Sequence, residues 1–220
     1  MTRGRFEGII TNQTNHNRGQ GKVGALLRII PGQARGVRLA TLEGNNTRPT
    51  SERAKEAIFS ILQFEIQGAK VLDLFAGSGQ MGLEALSRGA EKAFFCDLSK
   101  DAVAIIKENA KKTRLEDQCD IYCGDYRVFL QRLEKRCTFD MVFLDPPYAL
   151  SLIPQALSYL AEHRMLAKGA KLICETASPE DVLGKEEGLS KYFEVVKQTR
   201  YGIAHVTILQ YLGDGGRESV

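Results

Sequence analysis

No stretch of this 220-residue chain approaches the ~18 uninterrupted apolar residues that a membrane-spanning helix requires. The basic N-terminus is followed by no apolar segment, so a secretory signal peptide is not expected. Cysteine is sparse and odd in number: Cys96, Cys119, Cys123, Cys137 and Cys174, most of them inside apolar runs. Free thiols in a reducing compartment fit that pattern better than a disulfide framework. Histidine is scarcer still, with His16 in the leading segment and His163 and His205 far in sequence from the acidic strand ends described below. Cys119-x-x-x-Cys123 has no second ligand pair, so no metal is expected. No Ser-His-Asp arrangement and no internal repeat is visible, and Ser78 sits in a glycine turn rather than a nucleophile elbow. The Lys/Glu-rich stretch 107–117 reads as a solvated helix face.

Neither sign of charge dominates, the net being +3, but the charges are unevenly placed. The first fifty residues hold eight basic and two acidic side chains, so the body that follows is slightly acidic. A basic leading segment on such a body suggests contact with a polyanion, since clustered Lys and Arg displace the counterions of phosphate. Hydrophobic residues at 43% and charged residues at 26% are ordinary for a globular protein.

Residues 1–25, rich in Gly, Asn, Gln and Thr, read as a disordered extension, and 214–220 as a tail. Residues 26–66 read as a small hairpin and a helix. LLRII and GVRLA flank the turn PGQAR, and RPTSERAKEAIFSILQF sets Ala54, Ile58, Ile61 and Leu62 at helical spacing. Thr50 or Ser51 suits the helix cap, and Pro49 does no damage before it. From 67 to 213 apolar runs of strand length (70–76, 92–98, 119–125, 139–145 and 170–177) alternate with helical stretches near 79–88, 99–114, 126–136 and 150–166. Continuous apolar strands separated by helices imply a parallel sheet buried on both faces. FEVVKQTRYG and AHVTILQYL have no helix between them and read as an antiparallel hairpin closing the sheet. The fold class is therefore a doubly wound, mostly parallel seven-stranded α/β sheet, with ligands expected at the carboxyl ends of the strands.

Four strand ends carry chemistry. The first runs Asp73-Leu74-Phe75-Ala76-Gly77-Ser78-Gly79-Gln80-Met81-Gly82, a strand entering a glycine turn and a helix. It suits close approach of a ligand to the main chain, and its glycine spacing also fits a dinucleotide fingerprint. Asp97, followed by Leu98, can accept from both ribose hydroxyls of an adenosine cofactor or cap the helix after it. Asp125, between Gly124 and Tyr126, can accept from an adenine amino group or cap its own helix. The fourth, Asp145-Pro146-Pro147-Tyr148, is the most specific. Two prolines lock the backbone and remove two donors. What remains is an acceptor pair, the Asp145 carboxylate and the Pro146 carbonyl, suited to an exocyclic NH₂ group. Tyr148 offers a flat face on which a base can stack.

DLFAGSG resembles the first motif of class I S-adenosylmethionine-dependent methyltransferases, and DPPY the signature of enzymes that methylate exocyclic amines of adenine or guanine. Together with RIIPGQARGVRL (28–39), RPTSERAKEAIFSIL (48–62) and LDLFAGSGQMGLEALSRGA (72–90), the chain resembles the RsmD family, which methylates guanine N2 in small-subunit (16S) ribosomal RNA. Pro31 departs from the small residue expected after RII, and Asp97 stands where the family often has Glu. The resemblance implies S-adenosyl-L-methionine as cofactor, held by Asp73, Phe75, Ala76, Gly77, Gly79, Asp97, Leu98, Gly124, Asp125 and Tyr126. It implies a target guanine bound by Asp145, Pro146, Pro147 and Tyr148, and RNA phosphates gripped by Arg28, Arg35, Arg38, Arg48 and Arg53. The implied partner is small-subunit rRNA within an assembling particle, met by a metal-free monomer in the bacterial cytoplasm. An adenine-N6 methyltransferase, a nicotinamide dehydrogenase and a non-catalytic ribosome-assembly protein are the rival readings.

Overall fold

The computed structural model describes residues 27–41, 52–147, 151–183 and 188–213. The expected caps Thr50 and Ser51, together with Arg48, Tyr148, the leading extension and the tail, lie outside the described residues. The elements run in order α1 (Glu52–Ile61), β1 (Lys70–Asp73), α2 (Gln80–Ser87), β2 (Lys92–Asp97), α3 (Lys100–Thr113) and β3 (Cys119–Cys123). They continue with α4 (Tyr126–Leu133), β4 (Phe139–Leu144), α5 (Leu152–Glu162), β5 (Leu166–Thr176), β6 (Phe193–Tyr201) and β7 (Ala204–Tyr211). One seven-stranded sheet results, in the order β3-β2-β1-β4-β5-β7-β6. β1 to β5 are parallel, while β7 runs antiparallel to both β5 and β6.

Successive residues of a strand point to opposite faces, and here both faces are covered. Val71, Phe95, Met141 and Ile173 pack with Phe59 of α1, Leu86 of α2 and Ile106 of α3. Leu72, Phe94, Val142 and Leu172 pack with Leu130 of α4 and Leu157 of α5. That double burial is why the strands read as continuous apolar runs. Gly82 makes the packing of α2 on β2 possible: a Cβ there would lie 2.3 Å from Phe95.

Two expectations need correction. The helix placed near 150–166 ends at Glu162, and β5 begins at Leu166 rather than at 170. Arg164 adopts φ 53° and the Met165 amide closes back onto the Leu160 carbonyl at 2.9 Å, which stops the helix. Leu166 then pairs with Phe139, and a register shift around Gly169 restores pairing at Met141 and Lys171. The stretch 107–117 is not wholly solvated either, because Asn109, Ala110 and Thr113 face inward on α3.

The leading hairpin joins the main core through Leu27, Ile29, Ala34 and Leu39. Its strands are bridged at Arg28 and Arg38. Its turn sits on the last turn of α2, where the Gln33 amide donates to the Ser87 carbonyl and the Ala34 amide to Ser87 Oγ, at 2.9 and 3.0 Å. Ser87 Oγ in turn donates to the Pro31 carbonyl at 2.8 Å, so the unusual proline is part of the seat. Gly32, at φ 88°, is needed there: a Cβ would fall 1.8 Å from the Ser87 carbonyl oxygen.

A wholly buried ion pair joins the same elements, Lys55 Nζ lying 3.0 Å from Glu84 Oε2. Lys55 also donates to the Arg28 carbonyl, the Ile30 amide donates to Glu84 Oε2 at 3.1 Å, and Arg88 reaches Glu84 Oε1 through Nε and Nη2 at 3.1 and 3.0 Å. Burial pulls the Lys55 ammonium down from its ordinary pKa, against the opposing pull of Glu84. Asn109 makes a second tie: it accepts from the Ala40 amide at 2.7 Å and donates to the carbonyls of Ala40 and Ser78.

Candidate active site

β1 and β4 are adjacent, and strand order reverses between them. At such a switch point the loops leaving the two strands diverge and open a crevice. A cleft of about 1700 Å³ lies there, lined by the ends of β1 to β4, the start of α1 and the β6–β7 turn.

Asp73 closes β1 and is buried; its Oδ2 accepts from the Gly82 amide at 3.0 Å. Burial pushes its pKa up to about 7, against the Gly82 bond, and Asp97 adds to the rise. The glycine turn follows, with Gly77 at φ 53° and Gly79 at φ 75°. Asp73, Phe75, Ala76 and Gly77 line the cleft. Gly79 instead faces inward, where a Cβ would lie 3.1 Å from Ile106.

Asp97 organises this turn. Its Oδ2 accepts from the Gly77 amide and its Oδ1 from the Ser99 amide, both at 2.8 Å. Ser99, not Asp97, caps α3. Each carboxylate oxygen has a further lone pair, so Asp97 can still accept from a diol. Leu98 stands 77% exposed, an apolar face on the cleft. Gly124 and Tyr126 also line it, and the Tyr126 ring packs 5.3 Å from Phe75.

Asp125 caps α4 through the Arg127 amide at 2.8 Å. The Arg127 guanidinium also forks onto its two oxygens at 3.0 and 2.7 Å. Those hydrogen bonds hold its carboxyl down at about 2. The cap is thus present, and the residue nonetheless borders the cleft.

β4 delivers Asp145, Pro146 and Pro147 to the same cleft. Asp145 is exposed and borders the cavity, whose walls strip solvent from its carboxyl. That loss of solvent, with Glu175 and Asp73 nearby, pushes its pKa well above the usual carboxylate range. Of the five arginines expected to meet RNA, Arg53 lines the cleft. Arg35 and Arg38 are exposed on the hairpin. Arg28 is forked onto Glu52 at 2.9 and 3.2 Å.

Several cleft residues escaped the sequence reading. Glu175 stands one residue before the end of β5 and Asp145 one residue after the end of β4, and that place near a strand end was the available signal. Gln80 and the β6–β7 turn, with Arg200 and Ile203, also line the cleft. Nothing in their local sequence marks them.

The residues fit S-adenosylmethionine. Asp73 and Glu175 line the cleft as acidic groups for its cationic end, Asp97 keeps lone pairs for a ribose, and Leu98 offers an apolar face for the adenine. The turn at Gly77 is open, since a Cβ there would meet nothing within 4 Å. Among the described residues no cluster of three or more metal-ligating side chains occurs, and no helix is long and apolar enough to cross a membrane.

The family model described as Conserved hypothetical protein 95 matches residues 27–210. Ribosomal RNA small subunit methyltransferase D of Haemophilus influenzae is 34% identical over 185 residues, which is 84% of this chain and 93% of that protein. YlbH of Bacillus subtilis is 37% identical over 150 residues, covering 68% of this chain and 82% of its own. Among solved structures, yhhF of Escherichia coli superposes with a TM-score of 0.73 at 26% identity, covering 86% of this chain and 99% of that one. Kinship along nearly the whole described length agrees with what the cleft can hold: the chain belongs to the RsmD family and is a class I S-adenosylmethionine-dependent methyltransferase.

Proposed function

We propose that this enzyme methylates the exocyclic N2 amine of a guanine in bacterial small-subunit ribosomal RNA. The observation that carries the reading is the Asp145-Pro146-Pro147 turn at the end of β4, opening into the same cleft as the glycine turn after β1. The name of the Haemophilus influenzae relative supports the RNA.

S-adenosylmethionine, when bound, supplies a methyl group already activated by the sulfonium charge. Positioning is then the protein's main task. Asp97 would accept from the ribose hydroxyls, Leu98 and Tyr126 would border the adenine, and Asp125 would stand near its amino group. Asp73 and Glu175 would face the cationic end. On the substrate side, the Asp145 carboxylate and the Pro146 carbonyl accept the two N–H bonds of the amine. Holding both hydrogens draws the nitrogen lone pair out of conjugation with the ring and directs it toward the methyl. Neither Pro146 nor Pro147 has an amide N–H to compete for those acceptors. Tyr148 supplies the stacking face for the base once it is turned out of its helix.

Arg35 and Arg38, exposed on the hairpin, grip phosphates that fix the RNA rather than specify the base. The substrate is RNA within an assembling small-subunit particle, and the enzyme works as a metal-free monomer in the cytoplasm. The test is transfer of labelled methyl to naked small-subunit rRNA, reconstituted particles and duplex DNA, followed by nucleoside analysis. N2-methylguanosine in the ribosomal samples is expected. N6-methyladenine in DNA would keep the chemistry of the Asp145 turn and overturn the substrate.

A further inference from the structure

Gln80 opens α2, lines the cleft and is only 8% exposed. Its Nε2 is buried without a hydrogen-bond partner, the one such side-chain atom among the described residues. Buried polar groups are almost always paired, so an orphan at the edge of a cleft points to an acceptor brought from outside. Gln80 and Met81 also begin a helix, where main-chain N–H groups have no carbonyl one turn earlier and the helix dipole favours an anion.

The methionine portion of S-adenosylmethionine carries both an ammonium and a carboxylate. Asp73 and Glu175 share the cleft with Asp145 and oppose its ionisation. They attract the ammonium and the sulfonium but repel a further carboxylate, which must therefore lie toward donors. Among the described residues three cationic side chains line the cleft: Arg53, Arg127 and Arg200. Arg127 is forked onto Asp125, and Arg200 Nε donates to the Gly202 carbonyl at 2.9 Å. Arg53, in the first turn of α1, is exposed.

We infer that Gln80 Nε2 and the Arg53 guanidinium together receive the α-carboxylate of the cofactor's methionine portion. The inference rests on the cofactor being S-adenosylmethionine, and it gives Arg53 a role other than gripping RNA phosphate. Gln80 becomes a positioning residue: by anchoring the far end of the cofactor it fixes where the methyl stands relative to Asp145.

Calorimetric titration separates the possibilities with two probes, S-adenosylhomocysteine and 5′-methylthioadenosine, which lacks the amino-acid end. Gln80→Met keeps the shape and removes the amide. It should weaken S-adenosylhomocysteine roughly tenfold, the ordinary worth of a hydrogen bond to a charged group, and leave 5′-methylthioadenosine within about twofold. Gln80→Glu should weaken S-adenosylhomocysteine further, since a carboxylate would then face a carboxylate. Arg53→Met, at an exposed position that does not threaten folding, should follow Gln80→Met. The inference is overturned if Gln80→Met binds S-adenosylhomocysteine like wild type, or weakens both probes equally as a packing defect would. A raised KM for RNA with unchanged S-adenosylhomocysteine affinity would assign Gln80 to the base instead. Wild type binding neither probe would overturn the cofactor reading itself.

Discussion

Two clusters of charged side chains flank α2, each with a buried carboxylate at its centre, and they are built on opposite plans. Around Glu84 each carboxylate oxygen meets donors: the Ile30 amide, Lys55 Nζ and the Arg88 guanidinium. Around Asp73, in the cleft, carboxylates face one another, and Asp73 accepts from the Gly82 amide alone. The first cluster is satisfied within the chain and staples the leading hairpin and α1 to α2. In the second, loss of solvent works against the ionisation of Asp73 and Asp145, a strain that a cationic ligand would relieve. A balanced cluster therefore marks a structural joint here, and an unbalanced one marks the site.

The largest expected effect comes from the unbalanced cluster. Asp145→Ala removes an acceptor for the target amine and should lower turnover by roughly 10³-fold or more, the scale seen when a single transition-state hydrogen bond is deleted. Its affinity for S-adenosylhomocysteine should stay within a few-fold of wild type. A variant that keeps the wild-type rate would remove Asp145 from the chemistry and, with it, the functional side of the comparison.

The balanced cluster predicts the reverse pattern, a loss of stability. Glu84→Ala strands Lys55 in the core without its partner, at a cost of about 3–5 kcal/mol. For a domain of this size that lowers the melting temperature by roughly 6–20 °C. The double variant Lys55→Met/Glu84→Leu should recover part of the loss, because an apolar pair of similar volume needs no ionic partner. A single variant that melts like wild type would show that the staple lies elsewhere, in the Asn109 and Ser87 contacts.

The two plans differed in how legible they were beforehand. The sheet could be read because double burial makes its strands continuous apolar runs. Asp73, Asp97, Asp125 and Asp145 could be found because acids at strand ends are local features. Lys55 and Glu84 could not be paired in advance: each is an ordinary helix residue, and only the packing of α1 on α2 brings them together. Asp125 left two readings open because a short acidic side chain suits a cap and a ligand equally, and the structure shows the cap already formed. Gln80 gave no sign at all, since an amide becomes informative only when its surroundings fail to pair it. β5 began earlier than expected because the bulge at Gly169 breaks the alternation a strand would otherwise display.

Asp73 allows a subtler test through pH. Its folded pKa of about 7 lies above the unfolded value of 3.8, so the folded state binds the extra proton. The contribution of such a group is fully present below its unfolded pKa and lost as pH rises through its folded pKa. Ligand-free enzyme should therefore lose stability between about pH 4 and pH 8 through Asp73, with Asp145 acting in the same sense. Asp73→Asn keeps an oxygen for the Gly82 amide and removes the ionisation. The variant should melt above wild type at pH 8 and near it at pH 5, with weaker cofactor binding. Equal melting shifts at both pH values would mean that the charge at Asp73 is not what the cleft is straining against.

The smallest effects belong to charges outside both clusters. Arg35 and Arg38 are exposed on the hairpin, whereas the Arg28 guanidinium is forked onto Glu52. A phosphate contact adds about 0.7–0.9 to the slope of log affinity against log salt. Arg35→Ala and Arg38→Ala should each flatten that slope for small-subunit RNA by slightly less than one unit, and leave the melting temperature unchanged. Arg28→Ala should flatten it less, because Arg28 must give up a bidentate carboxylate before it can hold phosphate. If Arg28 proves as important as Arg38, RNA must displace Glu52 on binding. The first turn of α1, which carries both Glu52 and the cleft-lining Arg53, would then respond to the substrate, and the exposed hairpin and the cofactor cleft would be coupled through it.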